Sequence, residues 1–471
     1  MVALGGLLIN PINPYNPCNL VQKKRDFPLP HFSSHQLSKH LLHLCPPTQC
    51  LWIAYSGGLD SHVLLHALAQ SREAPSGEEP FKQCRAIHIH HGLNAQADQW
   101  ATHCQQVCEA LEIPCEVIQV NVRMVQGESL EALARTARYE AITQLLAPND
   151  VVLTAQHADD QAETVLLQLL RGAGVAGLAA MPPVSRLGKS WLIRPLLSYT
   201  RAQLHDYAQQ FHLQWIEDSS NADIRFDRNF LRHEVMPKIL QRWFSVAPIL
   251  SRAARHQAEA NELIQVLAEQ DWQKCRGKTA EQLLLTPLSH LSPARQRNVL
   301  RFWIKKLDLP LPSTAQLQHI INDMLTAKTD RQPLVRWHGT EVRRYHNTLF
   351  AMPPLPPIPE ASQSLTWCLP APLNLPLGEL RVNQTQGRGL ALPTASQLQV
   401  RFRQGGERFQ WRGQRRIVKK LLQAAKLPPW QRSFIPLIYF ENQLVAIPNM
   451  GISDDFVAQE GKKGWEIEWF L

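Results

Sequence analysis

The sequence predicts an α/β protein with a doubly wound, mostly parallel sheet, followed by a mainly helical region and a small α+β C-terminal region. From Ser34 to about Ser220, apolar runs of strand length alternate with helical patterns, as in a parallel sheet covered by helices on both faces. Helical spacing of apolar residues dominates from 228 to about 330. Residues 360–471 are rich in strand patterns around one predicted helix, Gln414 to Lys426. Together these observations predict the fold class.

The elements predicted for the N-terminal half alternate in chain order. The strands are 51–55, 85–91, 115–120, 151–156 and 191–196. The helices between them are 60–70, 95–111, 129–146 and 159–170. Further along, helices are predicted at 231–240, 258–267 and 296–304, and strands at 334–337 and 349–352. Because ligands of such sheets bind at the carboxyl ends of the strands, we expect a site in the loops that follow them.

Shifts in composition divide the chain into five predicted segments. Repeated Asn-Pro pairs prevent regular structure near the N-terminus, and the run from Pro353 to Pro359 is typical of a stiff linker. The segments are an irregular extension (1–33), an α/β catalytic domain (34–225), a mainly helical middle domain (226–352), a proline-rich linker (353–360) and a basic C-terminal domain (361–471).

Overall composition narrows the function class. The 471 residues carry a formal charge of +9, which favours a polyanionic partner. No apolar run approaches the roughly 18 residues that span a bilayer, so we expect no membrane partner. Nine cysteines occur without a Cys-x-x-Cys pair, and no signal-peptide pattern precedes them. These features predict reduced thiols and a cytoplasmic protein.

The most informative segment is Ser56-Gly57-Gly58-Leu59-Asp60-Ser61. It follows the apolar run 51–55 and opens a helical pattern, so a strand, a glycine turn and a helix start occur in that order. Glycines let the backbone approach a phosphate closely, and the unpaired N–H groups of the helix start point toward it. The segment lacks the lysine of the Gly-x-x-x-x-Gly-Lys-[Ser/Thr] loop, which excludes that class of nucleotide site. The pattern predicts a different kind of phosphate-binding loop.

A second motif, residues 157–164, reads His-Ala-Asp-Asp-Gln-Ala-Glu-Thr after the strand 151–156. Asp160 and Glu163 are three residues apart and share a helical face, so both can meet one ligand or one Mg²⁺. We assign Asp159 to capping the helix.

A third motif contains the histidines at the end of the strand 85–91. His91 and Gly92 are expected to line the same pocket as the acidic motif. His88 and His90 also resemble a metal pair, but no nearby ligand completes a zinc site.

Two further clusters carry arginines at useful spacings. Glu131, Arg135 and Arg138 recur at helical spacing, which suits either a site or a solvated face with an i,i+4 ion pair. Residues 218–232 combine an Asp/Ser/Asn loop with Arg228 and Arg232, whose guanidinium groups suit phosphate.

The C-terminal block 401–432 is strongly basic. It holds ten Lys or Arg residues against one acid, Glu407, with Phe402, Phe409, Trp411 and Trp430 interleaved. The predicted helix 414–426 would turn Ile417, Leu421 and Leu422 toward a core. Such a density of positive charge with aromatic residues predicts an RNA-binding surface.

These segments together resemble the tRNA(Ile)-lysidine synthase family, within the PP-loop ATP pyrophosphatase superfamily. The Ser56–Ser61 loop marks the superfamily, while 157–164 followed by Arg171-Gly172-Ala173-Gly174, and the pattern from Asp218 to Arg232, are narrower. The tail segments 403–409, 419–422 and 428–430 resemble the C-terminal domain of the long form of the family. The resemblance implies a Rossmann-like PP-loop ATPase domain.

The resemblance also implies a reaction. ATP, with Mg²⁺, would adenylate C2 of the wobble cytidine in the CAU anticodon of isoleucine tRNA, and free L-lysine would then displace AMP to give lysidine. No metal site made of protein ligands alone is expected; Mg²⁺ would arrive with ATP, and Asp60 or Asp160 are the candidates to contact it. The oligomeric state stays open, with a homodimer as one alternative.

The residue roles implied by the resemblance fall into four groups. The expected catalytic residues are Asp60, Arg138, Asp160 and Glu163. The expected ATP-binding residues are Ser56, Gly57, Gly58, Leu59, Asp60, Ser61, His91 and His157. The expected lysine or cytidine pocket comprises Glu131, Arg135, Asp160 and Glu163. The expected tRNA-binding residues are Arg228, Arg232, Arg403, Arg408, Arg415, Arg416, Lys419 and Lys420.

Three alternatives share parts of this pattern. A tRNA thiolase of the same superfamily would typically use a Cys-x-x-Cys pair, which this chain lacks. A small-molecule synthetase would use the same loop for adenylation but would not need the basic tail. A non-catalytic RNA-binding protein could keep a nucleotide-binding fold that has lost its activity. Such a protein would release no pyrophosphate from ATP.

Overall fold

The computed structural model describes residues 31–72 apart from 47 and 49, then 83–92, 95–121, 130–325, 333–360, 364–392 and 396–470. Most of the predicted N-terminal extension therefore lies outside the described residues. The chain forms two compact units, Met1–Glu262 and Leu263–Leu471. Among the described residues, no helix combines the length and apolar character that crossing a membrane requires.

A six-stranded sheet forms the centre of the first unit. Its strands are β1 (Leu51–Ala54), β2 (Cys84–His90), β3 (Cys115–Gln119), β4 (Val151–Leu153), β5 (Val184–Leu187) and β6 (Ser190–Ile193). The order is β3-β2-β1-β4-β6-β5, and every pair is parallel except the edge hairpin of β5 with β6. The predicted mostly parallel sheet is confirmed; β5 was missed.

Helices cover both faces of this sheet. They are α1 (Ser34–Leu44), α2 (Leu59–Arg72), α3 (Ala97–Ala110), α4 (Leu130–Leu145), α5 (Ala158–Leu170), α6 (Val175–Leu178) and α7 (Arg201–Gln210). Side chains alternate along β1, so Leu51 and Ile53 enter the core beneath α1, α2 and α7. Trp52 enters the opposite core with Ile142 of α4. Both faces are buried, which explains why the strands read as continuous apolar runs rather than alternating ones.

The strand order places a topological switch point at β1. The chain runs from β1 outward to β2 and β3, and then returns to β4 on the other side of β1. Ligands of doubly wound sheets bind in the crevice outside the carboxyl ends of the strands at such a point. The loops that follow β1 and β4 are 55–58 and 154–157, which belong to the two main sequence motifs.

Three helices complete the first unit and lead out of it. They are α8 (Asp227–Phe230), α9 (Met236–Arg242) and α10 (Val246–Cys275), with one π-helical turn, Leu231–Val235, between α8 and α9. Met236, Val246 and Ala247 pack with Ala158 and Ala162 of α5 in one small core. This packing fixes the 228–247 segment against the helix that carries the acidic motif.

The second unit begins with a small helical and antiparallel core. Its elements are β7 (Gln282–Leu284), α11 (Leu285–Ser289), α12 (Pro293–Lys306), α13 (Thr314–His319), β8 (Leu334–Trp337), β9 (Thr340–Tyr345) and β10 (Thr348–Met352). The four strands form a sheet in the order β7-β10-β9-β8. Trp303 is fully buried, and its indole N–H donates to Ala280 O at 2.9 Å. The sequence predicted β8 and β10 but missed β7 and β9.

The C-terminal part is α+β, as predicted. Its strands are β11 (Ser364–Cys368), β12 (Leu373–Asn374), β13 (Glu379–Gln386), β14 (Gln397–Arg401), β15 (Arg408–Trp411), β16 (Gln414–Ile417), β17 (Leu437–Phe440), β18 (Gln443–Ile447), β19 (Gly451–Ile452) and β20 (Lys463–Phe470). Its helices are α14 (Val418–Ala424) and α15 (Pro429–Arg432). Leu421 and Leu422 of α14 pack in one core with Trp367 and Phe409.

The predicted helix from Gln414 to Lys426 is wrong in its first turn. Residues Gln414–Ile417 form β16, which pairs with β15 in a hairpin, and the helix begins at Val418. Ile417 is 38% exposed, whereas Leu421 and Leu422 are buried as expected. The helical pattern is overridden because Gly413 turns the chain at a φ of +72°, which is typical of a hairpin.

Candidate active site

The glycine loop after β1 is closed by its own serines. Ser56 N–H donates to Ser61 Oγ at 3.2 Å, and Ser61 Oγ–H donates to Gly58 O at 3.0 Å. Gly58 N–H approaches Ser56 Oγ at 3.4 Å. Because α2 begins at Leu59, the amides of its first turn have no acceptor within the helix. The loop therefore ends at a helix N-terminus with free first-turn amides, a feature that is suited to binding anions.

Gly57 is required by both conformation and space. Its φ is +83°, a region that only glycine enters without strain. A Cβ there would lie 2.6 Å from Ile216 Cδ1 and 3.0 Å from Cys104 Sγ. Ile216 N–H also donates to Gly57 O at 2.9 Å. Ile216 and Cys104 thus support the loop from distant parts of the chain, and no local sequence signal identified them.

His157 connects the two motifs. Its ring is buried, caps the N-terminus of α5, and lies 3.2 Å from the Asp159 amide through Nδ1. Its Nε2 lies 3.4 Å from Asp160 Oδ2 and 3.6 Å from Asp60 Oδ2. The capping box is completed by His157 N–H, which donates to Asp160 Oδ2 at 3.1 Å. One buried ring therefore holds the aspartate of the glycine loop beside the aspartate of the acidic motif.

Asp159 does not cap its own helix, so that prediction is wrong. The cap is His157, and Asp159 Oδ2 instead accepts a hydrogen bond from Arg201 N at 2.8 Å, at the start of α7. The sequence could not show this because Asp159 and Arg201 are 42 positions apart in the chain.

The carboxylates set the charge of the His157 ring. Burial alone would lower the pKa of His157, but Asp160, Asp159 and Asp60 outweigh it and raise the pKa to about 10. A neutral ring accepts the Asp159 amide at Nδ1. The Asp159 carboxylate also lies near this nitrogen, with Oδ2 3.6 Å from Nδ1.

Arg228 and Arg232 lie against the acidic face of α5. Arg232 donates from Nε to Glu163 Oε1 at 2.7 Å and from Nη2 to Asp160 Oδ1 at 2.9 Å. Arg228 donates from Nε to Glu163 Oε2 at 2.8 Å. Burial tends to raise the pKa of Asp160, but His157 and both arginines dominate and hold it below its usual range.

Local structure explains how the two arginines reach these acids. Asp218 caps a short 3₁₀ turn, with Ser220 N–H donating to its Oδ1 at 2.9 Å. The Asn229 amide then donates to Ser220 O and to Asp223 O, each at 3.0 Å. This anchors α8 over the turn, and the π-helical turn after it carries Arg232, four residues beyond Arg228. Single π-helical turns are rare in proteins, but many of those that occur lie at functional sites.

The structure thus brings Arg228 and Arg232 to carboxylates rather than leaving them open for phosphate. Both side chains are about a quarter exposed, at 26%, and each is bonded to Glu163 and Asp160. Glu163 itself is 3% exposed, while Asp160 keeps 15%. Asp160 is therefore the acid of this pair that is more open to the crevice.

The predicted residues on the β2 side form a second group. Arg138 Nη2 donates to His91 Nε2 at 3.2 Å, which requires a neutral imidazole. Burial, with Arg138 beside it, lowers the pKa of His91 to about 4. His88 Nδ1 lies 3.0 Å from Tyr55 O, and His90 Nε2 lies 3.0 Å from Asp98 Oδ1, so both rings have local partners.

Arg135 lies on the exposed side of α4, where its guanidinium stacks over the Tyr139 ring at 5.1 Å. The side chain of Glu131 lies outside the described residues. A surface cavity of about 540 Å³ is lined by Arg135, Thr136, Tyr139, Glu140, Thr143 and Gln144.

The basic residues of the C-terminal part differ in exposure. Arg408, Arg415, Arg416, Lys419 and Lys420 are exposed. Arg403 is not, because its guanidinium is 17% exposed and lies 3.8 Å from Glu407. Asp454 accepts from the amides of Arg412 and Gly413 at 2.9 and 2.8 Å, which fixes the turn of the β15–β16 hairpin. The exposed cations thus lie on a rigid hairpin and the helix that follows it.

Among the described residues, no group of three or more His, Cys, Asp or Glu side chains is placed to hold a metal ion. Asp60 Oδ1 is buried and has no hydrogen-bond partner there. A carboxylate oxygen in that state, beside a phosphate-binding loop, suits Mg²⁺ carried by a nucleotide, because Mg²⁺ takes few protein ligands besides phosphate oxygens and water.

Comparison with known proteins agrees with this geometry. A PP-loop domain model matches residues 32–239, a TilS substrate binding domain model matches 283–350, and a TilS substrate C-terminal domain model matches 398–469. The tRNA(Ile)-lysidine synthase of Coxiella burnetii is 45% identical over 421 residues, which cover 88% of this chain and 92% of the relative. The chain belongs to the tRNA(Ile)-lysidine synthase family.

A second relative supports the same assignment. The tRNA(Ile)-lysidine synthase of Alkalilimnicola ehrlichii is 42% identical, with 92% of this chain and 97% of the relative aligned. Both relatives therefore align with most of the chain rather than with the ATP-binding domain alone.

Proposed function

We propose that this chain joins lysine to C2 of the wobble cytidine in the CAU anticodon of isoleucine tRNA. ATP adenylates the C2 oxygen and releases pyrophosphate, and the side-chain amine of free L-lysine then attacks C2 and displaces AMP. The observation that carries the proposal is the bridge by His157 between Asp60 of the glycine loop and Asp160 of the acidic motif. It supports the proposal because it joins the glycine loop to a carboxylate of the acidic motif in a member of this family.

The glycine loop supports the first step. Its first-turn amides, Ser56 and Ser61 would bind the departing pyrophosphate, and fixed donors of this kind cost no reorganisation as charge develops. Asp60 would hold Mg²⁺ through its unpartnered Oδ1. When bound, Mg²⁺ neutralises charge on the phosphate oxygens. His157 is buried, so we assign it the positioning of Asp60 and Asp160 rather than direct contact with ATP.

The acidic motif supports the second step. Free lysine is almost fully protonated at pH 7, whereas attack needs the neutral amine. Asp160 would bind the ammonium group, because it is the more exposed acid and its lowered pKa keeps it ionised. It would take up the amine proton as the C–N bond forms, because bond formation makes that nitrogen strongly acidic. The lysine ammonium would replace an arginine at Asp160 Oδ1. Glu163, whose two oxygens bind Arg228 and Arg232, would hold those arginines in place.

The remaining residues take supporting roles. Arg138 and His91 would contact ATP from the β2 side, and Arg135 with Glu131 would line the cytidine pocket. Arg408, Arg415, Arg416, Lys419 and Lys420 would bind tRNA phosphates, since they are exposed on the C-terminal hairpin and helix. We place the reaction in the cytoplasm. The homodimer and the boundaries at 225, 352 and 360 stay predictions.

The test is direct incorporation of lysine. The protein is incubated with ATP, labelled lysine and an unmodified transcript of isoleucine tRNA with a CAU anticodon, and the nucleosides are separated after digestion. We expect label on the anticodon cytidine, with one AMP and one pyrophosphate per lysine. The matched controls omit ATP or replace the CAU anticodon.

Other outcomes would identify the alternatives. Sulfur in the product nucleoside would indicate a thiolase. Adenylation of a small molecule that survives removal of 360–471 would indicate a metabolite synthetase. No pyrophosphate release with tRNA present would indicate an RNA-binding protein without catalysis.

A further inference from the structure

Two aromatic side chains project into solvent between α9 and α10. Trp243 is 57% exposed and Phe244 is 84% exposed, the highest value for a large apolar side chain among the described residues. The backbone around them is ordered by hydrogen bonds, because Trp243 N–H donates to Ile239 O at 2.9 Å and Val246 N–H donates to Trp243 O at 3.1 Å. Exposed apolar patches that the fold holds in place often mark a surface where a partner binds.

The chain around this turn is basic. Residues 235–258 contain no Asp or Glu, and they hold four cations: Lys238, Arg242, Arg252 and Arg255. Lys238 lies 4.0 Å from Glu234. The three arginines are exposed, and within the described chain no carboxylate pairs with any of them. Unpaired arginines beside exposed rings match a partner that carries both negative charge and flat apolar faces.

The first turns of α10 separate a packed face from this basic face. Val246, Ala247 and Ala254 are buried, whereas Ile249, Arg252 and Arg255 are exposed. At 3.6 residues per turn, positions 249, 252 and 255–256 lie opposite the buried ones. Val246 to Arg255 spans about 14 Å at a rise of about 1.5 Å per residue. We call Arg242, Trp243, Phe244, Arg252 and Arg255 the α10 surface.

The α10 surface is fixed to the helix that carries the acidic motif. Val246 and Ala247 pack on Ala158 and Ala162 of α5. Ser251 Oγ–H also donates to Ala158 O at 3.4 Å. Asp160 lies between those two alanines in the sequence, so the turn with the aromatic side chains is attached to the candidate active site through direct packing.

We propose that the α10 surface binds unpaired nucleotides of the substrate RNA that flank the reacting cytidine. Bases stack on Trp243 and Phe244, and Arg242, Arg252 and Arg255 contact the adjoining phosphates. Stacking on aromatic rings with arginines along the backbone is how proteins hold single-stranded RNA. This inference rests on the proposed function, because it takes an anticodon loop as the RNA. It adds a binding surface to the first unit, separate from the basic C-terminal block.

The first experiment measures binding of an anticodon stem-loop RNA to the full chain with Trp243→Ala, Phe244→Ala and the double variant. Because each stacked base contributes to affinity, we expect each single variant to bind about tenfold more weakly. The KM for tRNA should rise, while the KM values for ATP and lysine stay unchanged. The matched control is Leu263→Ala, which removes an apolar side chain of 72% exposure from α10.

The second experiment replaces Arg252 and Arg255 by Gln. For single strands the slope of log K against log salt changes by about 0.7 per phosphate contact, so we expect the slope to fall by about 1.4. Lysine replacements at the same positions should restore the salt slope. Thermal melting checks that every variant is folded, which we expect for exposed side chains.

The outcomes separate this inference from the proposed function. If the wild-type chain forms lysidine but Phe244→Ala and Trp243→Ala bind the stem-loop normally, the α10 surface does not bind RNA. If these variants keep RNA affinity and lose self-association in sedimentation, the surface joins copies of the chain, which also overturns the inference. If the wild-type chain forms no lysidine, the proposed function fails, and the stem-loop affinities still test the surface.

Discussion

The arginines of the acidic site and those of the C-terminal hairpin have opposite surroundings. Arg228 and Arg232 each bond both Asp160 and Glu163 and are 26% exposed. Arg415 and Arg416 lie exposed on β16, and within the described residues no acid pairs with them. The same residue type is therefore used in two ways. Around Asp160 the arginines compensate buried carboxylates, and on β16 they leave their charge free for a polyanion.

This difference shows why charge counts alone mislead. A buried carboxylate without a cation costs several kcal/mol, so the site arginines are needed before any ligand arrives. Exposed pairs contribute little to stability, so unpaired surface arginines cost the fold almost nothing. Substitutions in the two regions should consequently have different effects, which the following predictions test.

The largest effect should come from Asp160→Asn. Removing the carboxylate removes the group that we assign to the lysine ammonium, and a general base is worth about 10²–10⁴ in rate. We expect lysidine formation to fall by at least about a hundredfold, measured with labelled lysine. Pyrophosphate exchange should be reduced less, because the glycine loop is intact. Near-normal lysine transfer would remove Asp160 from the mechanism.

The control for this variant must separate chemistry from folding. Asp206→Asn removes an exposed carboxylate from α7 in the same unit and should leave the rate unchanged. Thermal melting of Asp160→Asn should show a folded protein, since Glu163 still bonds both arginines.

An intermediate effect should come from Arg415→Gln with Arg416→Gln. These exposed cations should contribute phosphate contacts, so the salt slope for tRNA binding should fall by about 0.7–0.9 for each arginine removed. We expect roughly tenfold weaker tRNA binding near physiological salt, by filter binding over a salt series. The KM values for ATP and lysine should not change.

Arg432→Gln is the matched comparison within the same basic block. Arg432 donates to Leu427 O at 2.7 Å and to Tyr345 Oη at 2.9 Å. Its loss should lower the free energy of unfolding by about 1–3 kcal/mol and leave the salt slope alone. A slope change for Arg432→Gln as large as that for Arg415 and Arg416 would erase the distinction between structural and binding arginines.

The sequence was sufficient for features that depend on local order along the chain. Apolar runs, the Gly57-Gly58 turn and the 157–164 motif predicted the sheet and the two loops at its carboxyl edge. The fold class is confirmed by the strand order at β1 and β4. Each of these features depends on residues that are close in sequence, where periodicity and turn chemistry decide the structure.

The partners of each charge could not be predicted in the same way. The ion pairs of Arg232 with Glu163 cross 69 residues of chain, and that of Arg228 with Asp160 crosses 68. From residue type alone, both arginines were predicted to contact phosphate groups, whereas in the structure they bind carboxylates. The hydrogen bond from the Arg201 amide, at the start of α7, to Asp159 is of the same kind. Long-range packing, which one sequence does not display, decides them.

The smallest effect we expect is on the pH dependence of stability at His157. Its pKa is raised to about 10 by the surrounding carboxylates, against an ordinary value of 6.5. A histidine whose folded-state pKa is raised stabilises the fold fully below pH 6.5 and loses that contribution as pH rises toward 10. His157→Gln should therefore be less stable than wild type by more than about 1 kcal/mol at pH 6, with a smaller difference at pH 10. Urea unfolding across this range measures it, and His256→Gln, at an exposed position on α10, should show no such trend. A constant difference at all pH values would mean that His157 acts only as a helix cap, and that the cationic side of the site consists of Arg228 and Arg232 alone.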